Sequence, residues 1–353
     1  MSAHATTPCL RAISVLAALS VGLLTGCAGR VFHVSADTRV IPELPSASNG
    51  EALVPMTVPE TEIHRDGPLI AVVDVDGLLL NTDFMGLASL GENPVSVFRE
   101  RLDAIAANPC VRGVVLRINS PGGGVTASDI MWHDLMEFKC RTHLPIVACL
   151  MDVGAGGAYY LATGADCIVA HPTSVTGGIG VILNVYNLQD AMQQFNVTAV
   201  AVRSGDKIDM GSPVKTLDTA QRQLLQKMAD EFHARFLHAV SLGRPHVDMN
   251  DKTTFDGRVF TASEARDRGL IDSIGFLDDA VAMARQMGHA CGAQVVLYHR
   301  PNDRAHSPYA VTPNVPAAAG LVPISLPGFD RSRLPGFLYL WQLEPTMEKL
   351  SGK

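Results

Sequence analysis

Four short apolar runs constrain the fold of this 353-residue chain more than any other feature, and the segments after the first two runs have the residue spacing of helices. Near-continuous runs of this length are typical of strands that a sheet buries on both faces. The apolar residues between the runs recur at helical spacing, with Phe98, Leu102 and Ile105 after the first run and Met131, Leu135 and Phe138 after the second. The alternation predicts an α/β fold with largely parallel strands. The four runs are residues 69–77, 112–118, 145–150 and 167–170.

A longer helix is predicted after residue 218. Its apolar residues recur every four positions, and Asp218 suits the N-cap, with Gln221 three residues later and Gly243 as the C-terminal stop. Arg258 to Met287 continues the helical pattern. Beyond residue 299 the chain is rich in proline and aperiodic, apart from a short apolar patch, FLYLW, at residues 337–341. The apolar residues of the long helix are Leu224, Met228, Phe232, Phe236 and Val240.

Composition narrows the function classes. Hydrophobic residues make up 47% of the chain and charged residues 18%, which favours a sizeable core over disorder. The net charge of −7 argues against a general nucleic-acid binder, because phosphate binding needs a dense basic surface. The seven cysteines and twelve histidines lack zinc-site spacing, so we expect no metal and no cofactor. Cys149 and Cys167 lie in apolar runs and are interpreted as small core residues.

The first 30 residues predict a lipoprotein signal. Arg11 precedes an apolar run, Ala12 to Leu24, which is too short to span a bilayer and suits a signal-peptide core. The run ends in Leu-Thr-Gly-Cys, which resembles a bacterial lipobox, so Cys27 is the expected lipidated residue and would tether the chain to a membrane. A plain signal peptide or a short anchor is the alternative. The expected organisation is signal peptide 1–26, linker 27–66, main domain 67–290 and Pro-rich C-terminal extension 291–353.

Four motifs in order resemble the bacterial signal peptide peptidase A (SppA) family. They are LRINSPGGGVTASD, PIVACLMDVGAGGAYYLATGADCIVAHPTSVTGGIGVI, RSGDKIDMGSP and DGRVFTASEARDRGLIDSIGFLDD, within residues 69 to 285. The resemblance implies a ClpP/crotonase-like fold, a spiral of ββα units, and membrane-attached oligomers. It also implies a serine peptidase with a Ser/Lys dyad that degrades signal-peptide remnants and other membrane-associated peptides.

The resemblance also implies two oxyanion donors. The glycine-rich loop after the second run supplies one backbone N–H, placed at Gly123, and Gly157 supplies the other. Glycine lets the backbone approach a ligand closely, and N–H groups near helix N-termini favour negative charge. The alternative is that both segments are only tight turns.

The dyad implied by the resemblance is absent. The family's serine position is Gly156, since Asp152-Val153 and Tyr159-Tyr160 fix the register on both sides. The family's lysine position is Ile208, and Lys207 stands one residue early, which reverses the direction of a side chain in an extended segment. In a loop, Lys207 could still reach inward. Glycine and isoleucine supply neither a nucleophile nor a base.

Other hydroxyls are weaker candidates for a relocated nucleophile. Turn-forming or capping roles explain these residues more simply. His171 has no evident Ser and Asp partners for a triad. The hydroxyls considered are Ser120, Ser174, Thr176, Ser204 and Ser212.

These observations favour a membrane-tethered, catalytically impaired SppA-like protein that binds peptides, membrane-protein segments or partner subunits. We expect a homo-oligomer or an assembly with an active paralogue. The predicted location is the bacterial cell envelope, lipid-anchored on the periplasmic face, with the outer membrane favoured because Ala28 follows the cysteine. Two alternatives stay open: an active peptidase that uses a displaced nucleophile with Lys207, and a crotonase-like acyl-CoA enzyme that shares the oxyanion hole.

Overall fold

A computed structural model describes residues 53–58, 67–82, 93–299 and 337–341. The predicted signal peptide, Cys27 and most of the linker and the C-terminal extension lie outside these ranges. Within them, ten strands form one sheet with helices on both faces. The strands are β1 Val54–Val58, β2 Leu69–Leu79, β3 Val111–Gly124, β4 Ile146–Ala155, β5 Cys167–Ala170, β6 Val175–Gly177, β7 Val259–Thr261, β8 Ser273–Ile274, β9 Gln294–His299 and β10 Leu338–Leu340. The helices are α1 Pro94–Ala106, α2 Val125–Thr142, α3 Gly157–Ala162, α4 Gln189–Gln194, α5 Thr219–Gly243, α6 Ala262–Asp267 and α7 Leu277–Met287.

The centre of the sheet is parallel. Strands β9, β2, β3, β4, β5 and β8 lie side by side in that order and all pair in parallel. One face carries α1 and α2, and the other carries α7. Each predicted strand run coincides with part of an observed strand, with only Pro145 outside, because a run buried on both faces must be apolar throughout. The predicted α/β fold with a largely parallel sheet is confirmed.

Helix α5 begins and ends where the sequence predicts. The Asp218 carboxylate accepts a hydrogen bond from the Gln221 N–H at 2.7 Å, so it caps the helix. Phe236 and Val240 are fully buried, whereas Leu224 and Met228 are 42% and 41% exposed. The apolar stripe is therefore covered only toward its C-terminal end.

The sheet extends beyond both predicted boundaries of the main domain. Residues 54–58, assigned to the linker, form β1, which pairs antiparallel with β9. Residues 294–299, assigned to the extension, form β9, which runs parallel beside β2. Pro55 removes one backbone donor and obscures the strand pattern, yet proline is tolerated on an edge strand such as β1. The sheet therefore includes strands on both sides of the predicted boundaries at 67 and 290, and the boundaries themselves stay predictions.

Strands β3 and β4 continue past their predicted ends, and this continuation creates the site. The pairing of β3 shifts register with β4 after Ile118 and with β2 after Asp76. Beyond the shift, β4 pairs with β6 and β3 pairs with β10. The carboxyl ends of β3 and β4 thus meet at one place, where open parallel sheets usually bind ligands.

Among the helices within the described ranges, none is both long and apolar enough to cross a membrane. Cys149 is fully buried, as predicted for a core residue, and Cys167 is partly buried against the α7 face of the sheet.

Candidate active site

The turn between β4 and α3 has the geometry of a nucleophile elbow. Gly156 lies between the two elements with φ 55° and ψ −125°, a conformation that residues with side chains rarely adopt. Its N–H donates to the Gly177 carbonyl, and its carbonyl accepts from the Tyr160 N–H, both at 2.9 Å. Such a sharp strand-to-helix turn presents one side chain above a sheet. Here the presenting residue carries none.

The glycine-rich loop is the twisted end of β3. Gly122 has φ 103°, and its N–H donates to the buried Ser120 hydroxyl at 3.1 Å. A Cβ on Gly123 would collide with the backbone of Leu79, so only glycine allows β2 and β3 to approach this closely. A Cβ on Gly122 would stand 2.6 Å from the Gly157 nitrogen. The loop and the elbow therefore lie against each other, and the roles of Gly123 and Gly157 as oxyanion donors stay a prediction.

A strand from the C-terminal region lies on this loop. In β10, Leu338, Tyr339 and Leu340 pair antiparallel with Gly124, Gly123 and Gly122. The Trp341 N–H donates to the Pro121 carbonyl at 2.9 Å, and the Val125 N–H donates to the Phe337 carbonyl at 3.4 Å. Along an antiparallel ladder, hydrogen-bonded pairs alternate with pairs that are not hydrogen-bonded. Gly123 and Tyr339 lie midway between the two hydrogen-bonded pairs just described, so they form the next hydrogen-bonded pair. The Gly123 N–H therefore faces the Tyr339 carbonyl.

The Tyr339 carbonyl stands over the elbow. A Cβ placed on Gly156 would lie 2.5 Å from the Tyr339 oxygen and 2.8 Å from its carbonyl carbon. The same oxygen lies beside Gly122 and 3.3 Å from the position of a Cβ on Gly157. A peptide carbonyl of the protein's own chain thus occupies the space above the position where a nucleophile would stand.

Sequence comparisons with known proteins match the part of the chain that contains this site. A model of peptidase family S49 matches residues 139–290, which contain the elbow. A putative signal peptide peptidase SppA of Enterococcus faecium is 30% identical over 65% of this chain and 66% of its own length. Protease 4 of Salmonella typhi is 30% identical over 63% of this chain and 35% of its own. The chain belongs to the SppA-type peptidase family S49. It spans no more than two thirds of either S49 relative.

Solved structures give a more distant likeness. Two mutants of the 1510-N membrane-bound stomatin-specific protease, one in complex with a substrate peptide, are each 12% identical to this chain. They cover 61% of it, and it covers 84% and 80% of their chains, with TM-scores of 0.40 and 0.39.

The predicted base position, Ile208, lies at the protein surface. Ile208 is 73% exposed, in the connecting segment that we define as residues 183–218. The Lys207 ammonium pairs with the Asp218 carboxylate at 3.8 Å, and both side chains are about half exposed. Among the described residues, neither side chain forms a hydrogen bond or an ion pair with Gly156 or β10.

Three of the five alternative hydroxyls form hydrogen bonds within their own turns or strands. Ser120 accepts the turn hydrogen bond described above, and the buried Thr176 hydroxyl donates to the Gly154 carbonyl at 2.7 Å. Ser174 is buried, and its hydroxyl has no hydrogen-bond partner among the described residues. Ser204 is exposed, and the Ser212 hydroxyl accepts from the Val214 N–H at 3.5 Å. His171 pairs through Nδ1 with the Thr173 hydroxyl at 2.8 Å.

A charge cluster lies within β2 and its partner strand β3. Asp74 pairs with Arg117 at 2.6 Å, and burial together with the Asp74 charge raises the pKa of Asp76 to about 6. Within the described ranges, no three His, Cys, Asp or Glu side chains form a group that could hold a metal ion. The elbow and the loop present glycines and backbone amides, and the aromatic rings of Tyr160 and Tyr339 stack beside them.

Sequence reasoning missed β10 as part of the site. The FLYLW patch is apolar, but its partner strand lies more than 200 positions earlier in the chain. The alternation of Leu338, Tyr339 and Leu340 gave a weak strand signal, and three residues are too few to distinguish a strand from a buried turn.

Proposed function

We propose that this S49 protein is a non-catalytic, membrane-tethered subunit that keeps the family's peptide groove and binds extended peptide segments or partner chains. The observation that carries the proposal is Gly156, which retains the elbow but has no side chain, with the Tyr339 carbonyl seated above it. The predicted donors Gly123 and Gly157 would polarise such a carbonyl. Without a nucleophile they only bind it.

Loss of both dyad members supports the same reading. Gly156 has no hydroxyl, and Ile208 lies in an exposed turn. Because nucleophile and base act as a unit, removing either one abolishes most of the rate. The Lys207 alternative has little support, since its ammonium pairs with Asp218. Membership of S49 likewise favours a peptide ligand over an acyl-CoA.

A fluorophosphonate label tests the proposal, because it reacts with an activated serine. The wild-type chain should stay unlabelled and should not cleave unfolded or signal-peptide substrates. The double variant Gly156→Ser, Ile208→Lys restores both positions, but a serine at 156 would meet the Tyr339 carbonyl. A triple variant with Tyr339→Gly, which weakens β10, is therefore the stronger gain-of-function test. Labelling of the wild type, or turnover that Lys207→Ala abolishes, would overturn the proposal.

An oligomeric assembly is part of the proposal. The connecting segment exposes many apolar side chains, and α4 buries none of its residues. Exposed apolar clusters mark interaction surfaces, and the uncovered half of the α5 stripe adds Leu224 and Met228. A second copy, or an active paralogue, would cover them. The exposed apolar residues of the segment are Val185, Tyr186, Leu188, Phe195, Val197, Val200, Val202 and Ile208.

The tether is proposed from the sequence alone. A lipid on Cys27 would hold the domain at the periplasmic face of the envelope, with the outer membrane favoured. Detergent phase partition of the wild type and of Cys27→Ala tests the anchor, since only the wild type should enter the detergent phase. Equal partition of both chains would exclude lipidation of Cys27.

A further inference from the structure

The groove over the elbow contains a pocket that is filled by one side chain. Tyr339 is 0% exposed, although it belongs to a strand of only three residues. Its ring stacks on Tyr160, with centroids 5.3 Å apart and an interplanar angle of 21°, and it packs against Phe236 at 4.8 Å. Aromatic pairs at these distances add to the free energy of apolar burial. The pocket is therefore shaped for a flat ring.

The floor of the pocket also recognises a hydroxyl. The Tyr339 O–H donates to the Phe232 carbonyl at 2.6 Å. That carbonyl lies inside α5, where it accepts one helical hydrogen bond and keeps a second lone pair. Burial and the nearby Asp129 charge raise the pKa of Tyr339, which keeps the hydroxyl protonated as a donor. A phenylalanine would fill the same volume without this hydrogen bond.

Hydrogen bonds with a charged pair hold the wall of the pocket in place. The Tyr160 O–H donates to Asp129 at 2.7 Å, and Arg235 holds both oxygens of that carboxylate at 2.7 and 2.8 Å. Trp132 packs edge-on against Tyr160 at 5.8 Å. The Tyr160 ring is thus held in place from two sides, which preorganises the surface on which a ligand ring stacks.

Backbone contacts hold a strand in the groove from both sides. On one side β10 pairs with Gly122–Gly124. On the other, Leu338 and Ile182 exchange two hydrogen bonds, at 3.0 and 3.1 Å. This is the geometry of strand addition, in which main-chain bonds bind any extended peptide and side-chain pockets select among them.

The groove continues beyond β10. A cavity of about 460 Å³ adjoins Leu340 and Trp341 and is lined by Gly178, Ile182, His233 and Asp256 among others. The His233 Nε2 is buried and has no hydrogen-bond partner among the described residues. Space and a polar group are therefore available for residues that follow the ring of a bound peptide.

We infer that the groove between β3 and Ile182 is a receptor for extended peptides that carry a tyrosine between apolar residues, with Leu338-Tyr339-Leu340 as the resident occupant. The inference rests on the proposed non-catalytic groove and names its ligand class. The resident segment competes with peptides in trans, because a tethered ligand has a high effective concentration.

Fluorescence anisotropy on the full-length chain tests the inference. The probe is a labelled peptide, PGFLYLWQL, with the sequence of residues 335–343, and two versions in which its tyrosine is phenylalanine or alanine. The receptor is the Tyr339→Ala variant, in which the resident side chain no longer fills the pocket. The tyrosine peptide should bind about fivefold more tightly than the phenylalanine peptide, by the hydroxyl's hydrogen bond. The alanine peptide should bind about a hundredfold more weakly, because it leaves the pocket empty.

Controls separate this inference from the proposed function and from misfolding. Tyr186→Ala removes an exposed tyrosine in the connecting segment and should bind the peptide as weakly as the wild type does. The conservative Tyr339→Phe chain should bind with intermediate affinity. Equal affinity for all three peptides, or no binding to a Tyr339→Ala or Tyr339→Phe chain that unfolds cooperatively, would overturn the inference. Fluorophosphonate labelling reports on the proposed function independently of these results.

Discussion

Gly156 and Ile208, the predicted positions of the family's serine and lysine, lie in contrasting environments. Around Gly156 the backbone is buried, held by hydrogen bonds on both sides and covered by Tyr339. Around Ile208 the chain turns in solvent, with charged neighbours that pair among themselves. The contrast shows that the elbow retains its shape through packing and not through a catalytic side chain. The connecting segment around Ile208 has no such packing within one copy of the chain.

The largest expected effect on stability comes from a substitution at the elbow. Gly156→Ser should lower the free energy of unfolding by about 4 kcal/mol, since it forces a side chain into a strained conformation and into the Tyr339 carbonyl. The matched control is Gly205→Ser in the connecting segment, where a Cβ meets nothing within 4 Å. That variant should change stability by no more than about 0.5 kcal/mol in urea unfolding. Similar losses for both variants would show that the elbow is not the more tightly packed region.

Charge burial gives the second contrast. The pKa of Asp76 is raised from 3.8 to about 6 by burial, so the folded state binds more protons than the unfolded state between these values. Stability should therefore fall as pH rises from 3.8 to 6 and level off above 6. Asp76→Asn should remove that loss, which is about 3 kcal/mol for a shift of this size, and raise stability at pH 7.5 more than at pH 4.

Asp209 in the connecting segment should behave in the opposite sense. Its hydrogen bonds with Lys215 and Arg203 hold its pKa below the ordinary value. The stability that it contributes is present above pH 3.8 and is lost as the pH falls further, so Asp209→Asn should not stabilise the chain at pH 7.5. Denaturant unfolding at several pH values measures both variants. A gain for Asp209→Asn as large as that for Asp76→Asn would remove the distinction.

The apolar surface of the connecting segment gives a smaller effect in binding energy. Val202 is fully exposed, so Val202→Asp should hardly change the stability of one copy. It should weaken self-association about tenfold if a second copy covers this surface. Sedimentation velocity measures the association, and Leu242→Asp, at an exposed apolar residue near the end of α5, is the control. Association that is unchanged by Val202→Asp, or weakened equally by both variants, would place the interface elsewhere.

The smallest effect concerns the two lysine pairs. Lys207 and Asp218 are both about half exposed, so Lys207→Ala should cost no more than about 0.5 kcal/mol. Lys139 pairs with the less exposed Asp166 at 2.6 Å and also donates to the Gly164 carbonyl. Lys139→Ala should therefore be the more destabilising variant in thermal unfolding. The reverse order would give Lys207 a role that its contacts do not explain.

The sequence predicted those parts of the fold in which one segment carries its own signal. The buried runs gave β2 to β5, and Asp218 gave the start of α5. It failed for β1, β9 and β10, which are short, border proline-rich stretches and acquire their strand character only by pairing with distant residues. The four-residue periodicity also placed Leu224 and Met228 in the same apolar stripe as Phe236, although only Phe236 is buried.

For the site, the sequence by itself determined that positions 156 and 208 are glycine and isoleucine and not serine and lysine, because residue identity does not depend on the fold. It also determined the glycines that allow the turns, since their need for positive φ is local. Only the tertiary structure decided that Tyr339 covers the elbow and fills an aromatic pocket. That arrangement depends on the pairing of β10 with β3, whose residues are separated by more than 200 positions, and no local pattern encodes a contact over such a distance.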